Sequence, residues 1–237
     1  MINILIITFG TSNRNNMLAY SFEQLGAKVY IYDFFNYKDR KEYYKLEEPI
    51  SGLVLAGYGN RGFEFANKSN LSYLIEHNHS LYKELMKIPE NYQNIPILGI
   101  CYGCQVLNKF YGGALPERLK EKKTGKHETI LLKSRIFKNM PNKVWADYNH
   151  RFLTLTGAPN AKTIAYSGKI LVGYEFSNIH YGVQFHIIKS DDIVKKILSN
   201  FYKICLDGPQ IQNNNKVIYG LSGILLIIYA LSNRLKK

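Results

Sequence analysis

The chain has 237 residues, 46% apolar and 14% aromatic, and its 31 Lys and Arg face 18 Asp and Glu for a net charge of +13. Such a length holds one ordinary domain and a short extension, so it excludes an attached multidomain synthetase, and the aromatic share excludes a disordered chain. The positive balance admits nucleic acid, an anionic membrane surface or acidic metabolites as partners. It is concentrated in Arg118–Lys143, where nine basic residues stand against Glu121 and Glu128. Three cysteines do not build a disulfide framework in a chain this long. The apolar Met1–Phe9 has neither a basic leader nor a small-residue cleavage site after it, which places the bulk of the chain in a reducing, cytosolic space.

In chain order, Ile2–Phe9 reads as a buried strand, Asn15–Leu25 as a helix stopped by Gly26, and the β-branched and aromatic Lys28–Phe34 as a second strand. Ser51–Ala56 predicts a third strand, ending in the glycine-rich Gly57-Tyr58-Gly59-Asn60. Leu71–Lys87 predicts a helix, and Ile95–Ile100 a short apolar strand followed by a turn and a helix. Strand and helix alternate and the strands are uniformly apolar. The expected fold is therefore α/β, a doubly wound, mostly parallel sheet with helices on both faces. From Thr129 the texture changes to shorter strand-like runs at Thr163–Tyr166, Ile170–Phe176 and His180–Phe185, and Asp191–Cys205 reads as a closing helix.

Two shifts of composition follow. Asp207–Lys216 predicts a polar linker, and Val217–Asn233 then carries no charge for 17 residues before the basic Arg234–Lys237. At about 1.5 Å per residue a helix over that run reaches roughly 25 Å, close to a thin bilayer of about 27 Å. The expectation is a C-terminal hydrophobic helix acting as a single-pass membrane anchor, which makes the membrane a partner and the protein a membrane-associated cytosolic domain. The competing expectation is an apolar helix docked on the domain. The division is thus a domain over residues 1–206, a linker over 207–216, the hydrophobic segment 217–233 and a basic tail over 234–237.

The sharpest chemical signal is Ile97-Leu98-Gly99-Ile100-Cys101-Tyr102-Gly103-Cys104-Gln105, an apolar strand entering G-x-C-x-G and then a helix. This is a nucleophile elbow with Cys101 in the nucleophile's place. A residue on a tight strand-to-helix turn needs neighbours without Cβ atoms, and the helix N-terminus favours the reactive thiolate. The base expected for Cys101 is His186, which ends the run Tyr181-Gly182-Val183-Gln184-Phe185-His186 some 85 residues downstream. Cys101-x-x-Cys104 also admits a redox dithiol. No second C-x-x-C or close His pair completes a zinc site, and no metal or cofactor is expected.

Together these motifs resemble the class I, triad-type glutamine amidotransferase domain, most closely that of GMP synthetases. The resemblance covers roughly Met1 to Cys205 and rests on Gly99–Gln105, Gly112-Gly113, Gly125-Lys126-His127-Glu128, Asn149-His150 and Tyr181–His186. It implies a flavodoxin-like fold and hydrolysis of glutamine to glutamate and ammonia through a Cys101 thioester, with His186 as base. The backbone N–H of Tyr102 and one from the loop Gly57-Tyr58-Gly59 would stabilise the oxyanion, while Gln105, Asn149 and His150 would hold glutamine. Two positions depart from the family pattern. Ile188 stands where the family carries the triad glutamate, and Tyr58 stands between two glycines where the family's loop has a bare glycine. The resemblance implies an ammonia-accepting synthetase on a separate chain, since no Walker-type loop is present, and gives no nucleic-acid module. The alternative reading is a catalytically weak or silent homologue serving as a membrane-tethered scaffold.

Overall fold

β1 (Ile2–Phe9) alternates as a strand covered on both faces must. Its Ile4 and Ile6 enter one apolar cluster and its Leu5, Ile7 and Phe9 the other. The computed structural model describes residues 1–10, 13–43, 46–58, 70–186 and 192–208. After β1 come α1 (Asn13–Glu23), β2 (Ala27–Asp33), α2 (Tyr37–Tyr43), β3 (Gly52–Tyr58), α3 (Leu71–His77), α4 (His79–Asn91), β4 (Ile97–Ile100) and α5 (Tyr102–Phe110). The second half is β5 (Glu117–Leu131), β6 (Lys143–Leu153), β7 (Lys162–Ser167), β8 (Ile170–Glu175), β9 (His180–Val183) and α6 (Asp192–Asp207).

One sheet runs through the described residues in the order β2-β1-β3-β4-β9-β8-β7-β5-β6. β1 pairs in parallel with β2 and β3, β3 with β4, and β4 with β9. Every pairing beyond β9 is antiparallel. The α/β fold with helices on both faces is as expected, but the sheet is mixed rather than mostly parallel. The reason lies in connection length: β7, β8 and β9 follow each other through short turns, which join antiparallel strands, whereas parallel neighbours need a long crossover.

α1 and α6 cover one face through Leu18, Phe22, Ile197, Phe201 and Ile204, with the Phe22 and Phe201 rings edge to face at 6.1 Å. α3, α4 and α5 cover the other through Leu71, Leu85, Ile88 and Val106. The run expected as one helix over Leu71–Lys87 is broken at Asn78, whose side-chain oxygen caps α4 by accepting from the Leu81 N–H at 3.2 Å.

The expectations for the C-terminus need correction. α6 is amphipathic, with Phe201 and Ile204 buried and Lys195 and Lys203 exposed, and it ends at Gly208, where φ is +66. Among the described residues no helix is long and apolar enough to cross a membrane. That finding overturns the membrane-associated localisation, and it leaves the membrane partner and the C-terminal hydrophobic helix without support. The linker beyond Gly208 and the segment 217–233 lie outside the described residues, as do Gly59 and Ile188.

Candidate active site

The parallel strands β3, β4 and β9 end at one edge of the sheet, and each delivers a residue there: Gly57 in β3, Cys101 after β4, and His186 shortly beyond β9. This carboxyl edge is where open α/β sheets place their ligands. Cys101 sits between β4 and α5 with φ 51 and ψ −102, a backbone state that costs a residue bearing a Cβ about 1–3 kcal/mol. Its N–H donates to the Val183 carbonyl at 2.8 Å, which locks the elbow to β9. The two glycines of the elbow are required by contact. A Cβ on Gly99 would lie 2.6 Å from the Gly103 carbonyl oxygen, and one on Gly103 would lie 2.0 Å from that of Leu55 in β3.

His186 is held by the free edge of β6. Its N–H donates to the Asp147 carbonyl at 2.7 Å, and its ring Nε2 lies 3.2 Å from the Asn149 carbonyl oxygen. Residues two apart on a strand turn their carbonyls to the same edge, so one histidine spans both. A carbonyl only accepts, so Nε2 carries the proton and Nδ1 is the basic nitrogen. Gly57 faces both reactive side chains. A Cβ there would lie 3.4 Å from Cys101 Cβ, 3.5 Å from His186 Cε1 and 3.6 Å from His186 Nδ1.

A buried amide relay runs away from the sulfur. Gln184 donates to Cys101 Sγ at 3.5 Å. Gln105 donates to the Gln184 side-chain oxygen at 3.2 Å and to the Phe152 carbonyl at 2.9 Å. His150 Nδ1 donates to that same carbonyl at 3.0 Å. His150 is 5% exposed, and its Nε2 has no hydrogen-bond partner. Burial, opposed by the Phe152 hydrogen bond and aided by nearby His186, lowers its pKa from 6.5 to about 4. Away from this edge, His180 bridges Tyr111 and the Ile95 carbonyl, and burial likewise lowers its pKa from 6.5 to about 4.

Because both imidazoles are held neutral, the unfolded chain binds more protons than the folded one between the two values. Stability is then unaffected by these groups above about pH 6.5 and is lost as pH falls toward 4, by about 3 kcal/mol for each. Urea denaturation at pH 7, 5.5 and 4 measures this, and His150→Asn is expected to lessen the slope.

Of the residues expected in the site, Cys101 and His186 both lie close to Gly57, and Asn149 contributes its backbone carbonyl. Gln105 and His150 join through Gln184 and Phe152. Tyr102 opens α5, in the first turn whose N–H groups point out of the helix end, and its buried ring packs edge to face on Phe9 at 4.7 Å. Tyr58 ends β3, and its side chain lies outside the described residues. Gln184 is a site residue that sequence reasoning passes over, although its place two before His186 in the β9 run is a signal. Burial first, and then Cys101, push the Cys104 thiol well above its usual range, which keeps it protonated and argues against the redox dithiol.

A strand-to-helix elbow bearing cysteine and a histidine at the same sheet edge place the chain in the class of α/β proteins with a cysteine–histidine site at the carboxyl edge of the sheet. Residues 5–203 match the family described as glutamine amidotransferase class-I, and the chain belongs to that family. Its relatives include the glutamine-hydrolysing GMP synthase of Borreliella burgdorferi strain N40, 28% identical over 93% of this chain and 43% of that enzyme. They also include one subunit of the glutamine-hydrolysing GMP synthase of Pyrococcus furiosus, 32% identical over 65% of this chain and 75% of its relative. The chain thus spans less than half the length of the Borreliella enzyme. A glutamine amidotransferase from Thermotoga maritima shares the fold, with a TM-score of 0.62 at 20% identity over 95% of this chain and 96% of that one.

Proposed function

We propose that the protein hydrolyses glutamine to glutamate and ammonia, within a domain spanning residues 1–206, and passes the ammonia to a synthetase on a separate chain. The observation that carries the reading is the convergence of Gly57, Cys101 and His186. The Cys101 thiol gives its proton to His186 as its sulfur attacks the side-chain carbonyl carbon of glutamine, forming an S–C bond, and the resulting oxyanion accepts hydrogen bonds from the N–H groups of Tyr102 and the Gly57–Gly59 loop. The C–N bond breaks as the His186 imidazolium gives its proton to the departing nitrogen, releasing ammonia. His186 then takes a proton from water, whose oxygen displaces sulfur from the thioester to give glutamate, and that proton passes to the departing sulfur to restore the thiol. Gln184 and the N-terminus of α5 favour negative charge on the sulfur. The relatives' names, a glutamine-hydrolysing GMP synthase and a single subunit of one, support the glutamine substrate and the separate acceptor.

The test is ammonia release from glutamine by the full chain, with covalent capture of Cys101 by a glutamine-mimicking diazoketone. Absence of both sinks the reading in favour of a silent homologue. Ile188→Glu restores the residue type of the family pattern. A carboxylate stabilises imidazolium where a carbonyl stabilises it less, so the turnover number is expected to rise about tenfold or more. An unchanged rate would mean that the Asn149 carbonyl already does all the orienting.

A further inference from the structure

The β5–β6 ribbon reaches His186 with little support from the rest of the sheet. β5 pairs with β7 only at Ile130 and Leu131, while its ladder with β6 runs on from Ile130 back to Glu117. On the other side of β6 the described residues give one bridge, between Asp147 and His186. A two-stranded overhang is marginal by itself. Yet its Asp147 and Asn149 carbonyls meet the His186 N–H at 2.7 Å and the ring Nε2 at 3.2 Å, so the height of the ribbon over the end of β9 must be fixed.

Tyr148 stands between those two residues, and neighbours on a strand send their side chains to opposite faces. Its ring is fully buried and packs edge to face on Phe185, the residue before His186, with 6.2 Å between centroids. Its hydroxyl lies 2.8 Å from the equally buried Thr129 Oγ1. Thr129 gives its own proton to the His127 carbonyl at 3.3 Å, so Tyr148 is the donor of the pair. Thr129 directly precedes the two residues of β5 that pair with β7, which makes it the last buried anchor before the overhang begins. The cross-strand partner of Tyr148 is Gly125, so the tyrosine is the only side chain of that pair. We propose that Tyr148 is a positioning residue: its ring on Phe185 and its hydroxyl on Thr129 fix the ribbon at the height where the Asp147 and Asn149 carbonyls hold His186. The reaction this serves is the one proposed above and rests on that reading, while the hold on His186 does not.

Three variants of the full chain test it. Tyr148→Phe and Thr129→Val each remove the hydroxyl pair and keep the shape of the core, and Tyr148→Leu removes the ring. With isotope-labelled histidine, the nitrogen resonances of His186, assigned by their loss in His186→Asn, are expected to show the Nε2–H tautomer in the parent and a mixture in Tyr148→Leu. Glutamine turnover per folded molecule, with the folded fraction read by circular dichroism, is expected to fall about two- to tenfold in Tyr148→Phe. In Tyr148→Leu the fall should be about a hundredfold, the effect of an ångström's misplacement of a reacting group. Thr129→Val should match Tyr148→Phe, and the double variant should be no worse than either. Losses that multiply in the double variant, or a turnover per folded molecule equal to the parent's, would reduce Tyr148 to a core residue. An unchanged tautomer in Tyr148→Leu would overturn the hold on His186 whatever the rate. If the parent neither releases ammonia nor is captured by the diazoketone, the amidotransferase reading falls, and the tautomer then decides the hold on His186 by itself.

Discussion

Cys101→Ala is expected to reduce ammonia release from glutamine to the uncatalysed background, a fall of about 10⁴ or more. No other thiol stands in for it: Cys104 is buried with its pKa raised, and Cys205 is buried in the core between the sheet and α6. The same position carries a second signature that concerns stability rather than rate. In ordinary chain positions Gly is less stable than Ala by about 0.5–1 kcal/mol, because it loses more freedom on folding. At φ 51 and ψ −102 the order should reverse, since Ala keeps the Cβ that makes this backbone state costly and Gly does not. Cys101→Gly is expected to exceed Cys101→Ala by about 1 kcal/mol in urea denaturation. A normal order would mean that the elbow is relaxed. Strain held at a nucleophile is consistent with a side chain aimed by the fold rather than by its own preference.

The parts of this architecture legible in the sequence are those whose signal is local. β1 reads to its boundaries because an apolar strand buried on both faces announces itself without reference to a partner. The elbow is legible because Gly99, Cys101 and Gly103 must be adjacent in the chain to make the turn. β5 is not legible, although it is the longest strand at 15 residues. Its first twelve residues are mostly charged or polar and exposed, and only its pairing with β6 makes them a strand, a matter of tertiary context that no propensity carries. The site divides in the same way. His186 stands out through its motif. That the free edge of β6 holds it, through two backbone carbonyls belonging to Asp147 and Asn149, depends on the ribbon curling back to the end of β9. Backbone groups have no letter in the sequence.

On that same ribbon the Asn149 carbonyl oxygen lies 3.2 Å from His186 Nε2, a neutral acceptor among the described residues. A neutral acceptor fixes the tautomer as well as an acid does, but lends less stabilisation to the imidazolium formed during the reaction. Cysteine tolerates this better than serine would, because a thiolate forms more readily than an alkoxide. Under the proposed mechanism, Ile188 at the place of the family's glutamate is chemically compatible with Cys101 as the nucleophile.

Gly103→Ala carries the largest expected effect on the fold. Gly103 is buried in the first turn of α5, where the helix lies directly on β3, and the added Cβ would sit 2.0 Å from the Leu55 carbonyl oxygen and 2.6 Å from its carbonyl carbon. Those are backbone atoms of a central strand paired on both sides, with β1 and with β4, so neither can swing aside as a side chain would. Either α5 lifts from the sheet, which uncovers Val106 and Leu107, or β3 breaks its ladder. Both routes exceed the usual 1–3 kcal/mol of an overpacked core, and a loss of about 3 kcal/mol or more is expected in urea denaturation. Ammonia release should fall with it, since lifting α5 moves Cys101 away from His186. Gly112→Ala serves as the control. Its φ of +81 also disfavours a side chain, but a Cβ there meets nothing within 4 Å, so it should cost only the conformational penalty of about 1–2 kcal/mol. If the two substitutions proved equally mild, the close approach of α5 to β3 would be wrong. The position of Cys101, which rests on that approach, would then have to be redrawn.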